Sequence, residues 1–135
     1  MDNKVIEHKR EIGKFAFKLV KQVKEKETEK VQSDYKSYVK SLPAMVINNG
    51  LGNALAFEFS KGKDGNAHEK LLEHIMKFAN GYLGFSPPNL TSKALMEEIL
   101  RMDIHKYMFC TEQILLFLNW LRRFADGMIK EVKGD

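Results

Sequence analysis

Four histidines, one cysteine and a few acidic pairs are the side chains in this sequence that could do chemistry, and their spacing argues against it. His8, His68, His74 and His105 are scattered along the chain. His68 and His74 stand six apart, which turns them to different sides of a helix, whereas a helical zinc pair needs i,i+4. His105 and Cys110 are five apart and diverge too, so Cys110 reads as a buried structural thiol rather than a nucleophile. Glu69 and Glu73 are four apart, but they share a charged face with Lys70, His74 and Lys77. A solvated helix surface accounts for them without general acid–base work. Gly50-Leu51-Gly52 resembles a fragment of a phosphate loop, yet no Gly-Lys-Ser/Thr follows it and no strand precedes it. Helix-turn-helix spacing and an aromatic RNA-binding sheet motif are also missing. The expectation is a non-enzymatic chain with no catalytic residue, no metal and no cofactor.

The element that must organise such a chain lies near its C-terminal end. Between Cys110 and Phe124 the apolar residues run nearly all the way round a helix. Phe109, Ile114, Leu116, Leu118, Trp120, Leu121 and Phe124 cannot share one face. His105, Glu112, Asn119 and Asp126 recur every seven residues and leave a narrow polar stripe, joined by Arg123 and Lys130. A helix of this kind is normally buried on several sides. It is too short and interrupted to span a bilayer, which takes ~20 predominantly apolar residues. The spacing therefore predicts a central helix from Ile104 to about Val132.

The remaining segments read as helices laid around it. Asn3 to about Gln32 carries Val5, Ile12, Phe15, Ala16, Leu19 and Val23 on one side and Arg10, Lys14, Lys18 and Lys21 on the other. Glu7, Glu11 and Glu25 are interleaved and offset part of that charge. Lys24–Lys30 lacks an apolar stripe and reads as a solvated or fraying end. Ser33 or Asp34 is the expected cap of a second helix, with a kink or short break at Pro43 and a stop at Asn48-Asn49-Gly50. A buried helix over Leu51–Phe59, a flexible glycine-containing loop over Lys61–Asn66 and an amphipathic helix over Ala67–Tyr82 follow. Gly81 and Gly84 should end that helix, and Ser86–Asn89 should be an extended connector. A helix capped by Thr91, stapled by Leu90 and Leu95, then runs to about Arg101, with a joint at Met102-Asp103. Gly50 and Gly52 are expected to let the chain turn and backbones approach closely; Trp120 and Phe57 are core candidates. The expected fold is all-α: one domain over residues 1–135, a bundle of about six helices around a buried C-terminal helix.

Composition agrees. The 135 residues are 44% hydrophobic, so disorder is not the default. The formal net charge of +4 permits contact with an anionic polymer without demanding it. A single cysteine excludes an intramolecular disulfide, and an N-terminus charged from its second residue does not read as a signal peptide. These features lead to a cytoplasmic expectation with no membrane partner. Alone, they stop at a small helical interaction module.

Two stretches carry a resemblance. Ser41–Phe57, SLPAMVINNGLGNALAF, and Tyr107–Gly127, YMFCTEQILLFLNWLRRFADG, are similar to segments of the small, fifth subunit of type III-B (Cmr-type) CRISPR effector complexes. The resemblance implies an all-α, non-catalytic protein that stacks in several copies along the inner filament of a ribonucleoprotein. It would help hold target RNA along the guide RNA in antiviral defence. Its partners would be the other Cmr effector subunits, further copies of itself, and the target RNA and guide RNA. Since base pairing reads sequence, only backbone contacts are needed. The candidate RNA-contacting residues are Arg10, Lys14, Lys18, Lys21, Lys36, Lys40, Arg122 and Arg123. The competing expectation is a helical adaptor or oligomerisation module with protein partners only.

Overall fold

Each helix starts where a short polar side chain can satisfy its orphan amides, or where something replaces that side chain. The computed structural model describes residues 2–87 and 90–130. Asp2 accepts from the Lys4 amide and opens α1 (Asn3–Lys26). Thr28 accepts from the Val31 amide and opens α2 (Glu29–Asn49). Asn66, Thr91 and Asp103 do the same for α4 (Ala67–Tyr82), α5 (Ser92–Arg101) and α6 (Ile104–Met128). Each such cap is worth about 1 kcal/mol.

The third helix, α3 (Leu51–Lys61), begins at Gly50, which has no side chain to cap with. Gly50 sits at φ +88°, a conformation costly for any other residue, and donates its amide to the Val46 carbonyl to close α2. The cap for α3 comes from 55 residues away: the Tyr107 hydroxyl accepts from the Gly52 amide at 2.8 Å. The two stretches that carry the family resemblance thus meet at this bond.

The sequence-based helix boundaries needed two corrections at the α1–α2 junction. The first helix stops at Lys26, short of Gln32, and the second is capped by Thr28 rather than by Ser33 or Asp34. Thr28 wins because the turn it opens is stitched from both sides. Gln32 donates its side-chain amide to the Lys24 and Glu27 carbonyls, and Val31 packs against the core. Lys24–Lys30 is therefore a built corner. Pro43 does not break α2, which runs on through it to Asn49. The ring costs one intrahelical bond, to the Val39 carbonyl, while Val39, Leu42 and Val46 stay buried around it. The third helix extends two residues past Phe59, and Gly81 lies inside α4 rather than ending it. The last helix stops at Met128, where Ile129 is already extended and donates its amide to the Ala125 carbonyl, short of the expected end at Val132. Val132 itself and part of the Ser86–Asn89 connector lie outside the described residues.

Packing explains the rest. α6 lies between α1 and α2 and also touches α4; α2 packs on α3 and α4, and α3 on α4 and α5. Cys110, Ile114, Phe117, Leu118, Leu121 and Ala125 form the buried side of α6. The Phe117 ring stacks on Phe78 of α4 at 4.4 Å and meets Phe15 of α1 at 5.9 Å. Each fully buried Phe or Leu contributes about 1.5–3 kcal/mol. The expected polar stripe of α6, from His105 to Lys130, faces water. The first turns of α6 are less covered than expected: Ile104, Met108 and Phe109 are exposed. Of the two aromatic core candidates, Phe57 is exposed and Trp120 is half-buried at the edge of the core.

Candidate nucleic-acid interface

α1 presents its cations as a stripe because Arg10, Lys14, Lys18 and Lys21 recur every three or four residues, all on the exposed side. Their charge is partly answered from the same helix, as expected. Arg10 pairs with Glu7 at 2.8 Å, and Lys14 and Lys21 stand at 3.9 and 4.0 Å from Glu11 and Glu25. These exposed i,i+3 and i,i+4 pairs are weak, so incoming phosphates can replace them.

Beside the stripe lies an aromatic groove, formed because α1 and α6 approach closely at one glycine. The Trp120 ring rests on Gly13, where a Cβ would come within 2.9 Å of the indole. A glycine inside a helix costs about 1 kcal/mol relative to alanine; here it makes room for the ring. Trp120 stacks on Phe124 at 5.6 Å, and Phe124 meets the edge of Phe17 at 5.2 Å. The resulting groove, about 400 Å³, is bordered by Arg10, Glu11 and Lys14. A second trough of about 450 Å³ runs along the other flank of Phe17, past Lys18 and Lys21 to Tyr82. Phe17 and Lys14 thus form a ridge between two shallow channels. Phe17 is 46% exposed. Sequence reading overlooked it, although an aromatic residue inside a cationic helix face was the available signal.

The structure does not bring all the candidate cations together. Lys36 donates from Nζ to the Ile129 carbonyl at 2.8 Å, which satisfies an orphan carbonyl at the end of α6. That is a structural tie. Lys40, one turn earlier than Pro43, is exposed on α2. Arg122 and Arg123 are both exposed, but adjacent helical residues point ~100° apart. Neither of them lines the groove, whose α6 wall is Trp120 and Phe124.

The histidines divide differently from the sequence expectation. His74 is not on the solvated face with Glu69 and Glu73. It is 4% exposed, and its Nδ1 lies 2.7 Å from the hydroxyl of the fully buried Tyr35. Burial, helped by the nearby Lys77 and Lys70 ammonium groups, lowers its pKa to about 3. His68 pairs with the buried Glu58 at 2.7 Å and stacks on Tyr38 at 3.8 Å. Burial raises the Glu58 carboxyl above its usual value, against the pull of the His68 hydrogen bond and charge. Cys110 is buried, and burial raises its thiol pKa. Among the described residues no three His, Cys, Asp or Glu side chains could hold a metal, and no helix is long and apolar enough to cross a membrane.

Comparison with known proteins agrees with the fold. A family model described as CRISPR-associated protein (Cas_Cmr5) matches residues 8–128. The CRISPR system Cmr subunit Cmr5 of Thermus thermophilus is 28% identical over 117 residues, 87% of this chain and 94% of its own length. The crystal structure of a CRISPR-associated Cmr5 family protein from the same organism superposes with a TM-score of 0.72 at 25% identity, covering 90% of this chain and 99% of that one.

Proposed function

Because the chain belongs to the CRISPR-associated Cmr5 family, we propose that it is the small structural subunit of a Cmr effector complex and holds target RNA along the guide with its α1 face. It acts as one all-helical unit and has no reaction of its own. The observation that carries the RNA assignment is the juxtaposition on α1: four exposed cations at helical spacing beside the exposed Phe17 and the Trp120–Phe124 wall. Cations that track a phosphate backbone next to aromatic faces are how proteins hold single strands without reading sequence.

Assembly falls to a different surface. Ile47 at the end of α2, Leu100 at the end of α5, and Ile104 and Met108 at the start of α6 are between 55% and 72% exposed. Leu100 reaches the α3 backbone at Gly52, beside the Tyr107–Gly52 bond, and Ile104 and Met108 lie on the same first turns of α6 as Tyr107. Clustered exposed apolar side chains mark protein contact, and the occupants fitting this reading are other Cmr subunits and further copies of this chain. Each copy contributes only a few phosphate contacts, so affinity comes from stacking copies on one strand.

The test is a complex reconstituted with and without this protein, and with Arg10, Lys14, Lys18 and Lys21 changed to Glu. Charge reversal on α1 should weaken target retention while leaving assembly intact; substitution of Leu100 and Ile104 by Asp should eject the subunit. Unchanged RNA affinity in the charge-reversed particle would favour the adaptor reading, to which the apolar cluster alone would suffice.

A further inference from the structure

A further, smaller concavity lies between the end of α1 and the middle of α4, and none of the RNA-contacting candidates borders it. About 190 Å³ in volume, it is bordered by Gln22, Lys26, Lys70, His74 and Lys77, and equally by Glu27 and Glu73. Tyr35 decides its chemistry. That hydroxyl is fully buried, and its hydrogen-bond partner is His74 Nδ1. If Tyr35 accepted this bond, its own hydrogen would be left without an acceptor inside the core, at a cost of about 1–3 kcal/mol. Tyr35 therefore donates, Nδ1 accepts, and the imidazole proton sits on Nε2. The His74 ring borders the concavity, and with Nδ1 taken by the Tyr35 hydroxyl, Nε2–H is the ring donor left to offer a ligand there. The tautomer also closes Nε2 to a metal ion, because its lone pair is engaged by the proton.

Around this donor stand three lysines. Lys70 is held by Glu27 at 3.6 Å and by Glu73 at 4.0 Å, and Lys77 by Glu73 at 3.4 Å. Three ammonium groups against two carboxylates and a neutral ring leave an excess of positive charge. The volume is below the ~300 Å³ at which pockets for drug-sized ligands begin, so one small oxyanion fits and a whole nucleotide does not. We propose that this pocket binds a single phosphate group, through His74 Nε2–H, the Gln22 amide, and the Lys26 and Lys77 ammonium groups. The phosphate can be inorganic or the terminal or backbone group of an RNA strand. The inference does not rest on the assignment of α1 as the RNA face.

The isolated chain tests it. The His74 ring nitrogens are followed by NMR while inorganic phosphate is added, with chloride at matched ionic strength as the control. Phosphate should shift the Nε2–H resonance saturably, with a dissociation constant on the order of millimolar. Lys26→Gln and Lys77→Gln, both outside the core, should each weaken it at least threefold. A short RNA with a 5′-phosphate that competes better than its dephosphorylated form supports a terminal source; equal competition by both supports the backbone. A resonance that responds alike to phosphate and chloride, or a proton found on Nδ1, overturns the proposal.

Discussion

Acidification should unfold this protein largely through one buried ring. His74 has an ordinary pKa of 6.5 when the chain is unfolded and about 3 when folded, because burial and the adjacent Lys77 and Lys70 ammonium groups oppose its charging. A depressed folded value means that the unfolded chain takes up a proton which the folded chain refuses. Stability is therefore complete above pH 6.5 and is lost as the pH falls from there towards 3, at about 1.4 kcal/mol per pH unit. Going from pH 7 to pH 5 crosses about 1.5 units of that window and costs about 2 kcal/mol. The measurement is urea unfolding followed by helical circular dichroism at the two pH values. Carboxylates titrate too, so the comparison is with His74→Gln, which keeps an acceptor for the Tyr35 hydroxyl and cannot charge. The variant will start less stable, but its loss between pH 7 and pH 5 should be smaller than wild type's by about 2 kcal/mol. Equal losses, or a His74 that titrates near its ordinary value in the folded protein, would refute the reasoning.

Three further outcomes follow from the packing and the charge. Tyr107→Phe removes the remote cap of α3 and should cost about 1 kcal/mol in chemical denaturation, with faster exchange of the Gly52 amide. Gly13→Ala places a methyl against the indole; about 1–3 kcal/mol of overpacking set against about 1 for replacing a helical glycine should give a net loss, with a changed emission from Trp120. Charge reversal of Arg10, Lys14, Lys18 and Lys21 should flatten the salt dependence of target binding by the assembled particle: the log–log slope falls by about 3 if each cation meets one phosphate of a single strand.

What could be read from the residues was local. α4 and α5 were placed correctly because Thr91, Gly84 and the Leu71–Ile75–Phe78 spacing act within a few positions. The polar stripe of α6 was legible because seven-residue recurrence survives any packing. The α1–α2 corner was not, since Thr28 competes with Ser33 and Asp34 for the same role, and the outcome rests on where Gln32 and Val31 land. His74 was misassigned by its charged neighbours, although it lies three residues after Leu71 and four before Phe78, on the apolar stripe. Phe17 was hidden among lysines, and its pairing with Phe124 depends on the approach of two helices about 100 residues apart. Tyr107 stood in a recognisable segment, but only the fold shows that it caps a helix in the other one.

The central claim is that the surface of this helical body, α1 above all, keeps RNA in place within a larger particle. The most direct measurement is target-RNA affinity of the reconstituted Cmr complex carrying either the wild-type chain or the α1 charge reversal, at several salt concentrations. The account predicts that both chains enter the particle with guide RNA and that the reversed chain binds target more weakly, with a shallower salt slope. Particles of identical affinity and slope, or a wild-type chain that fails to enter the particle, would contradict it.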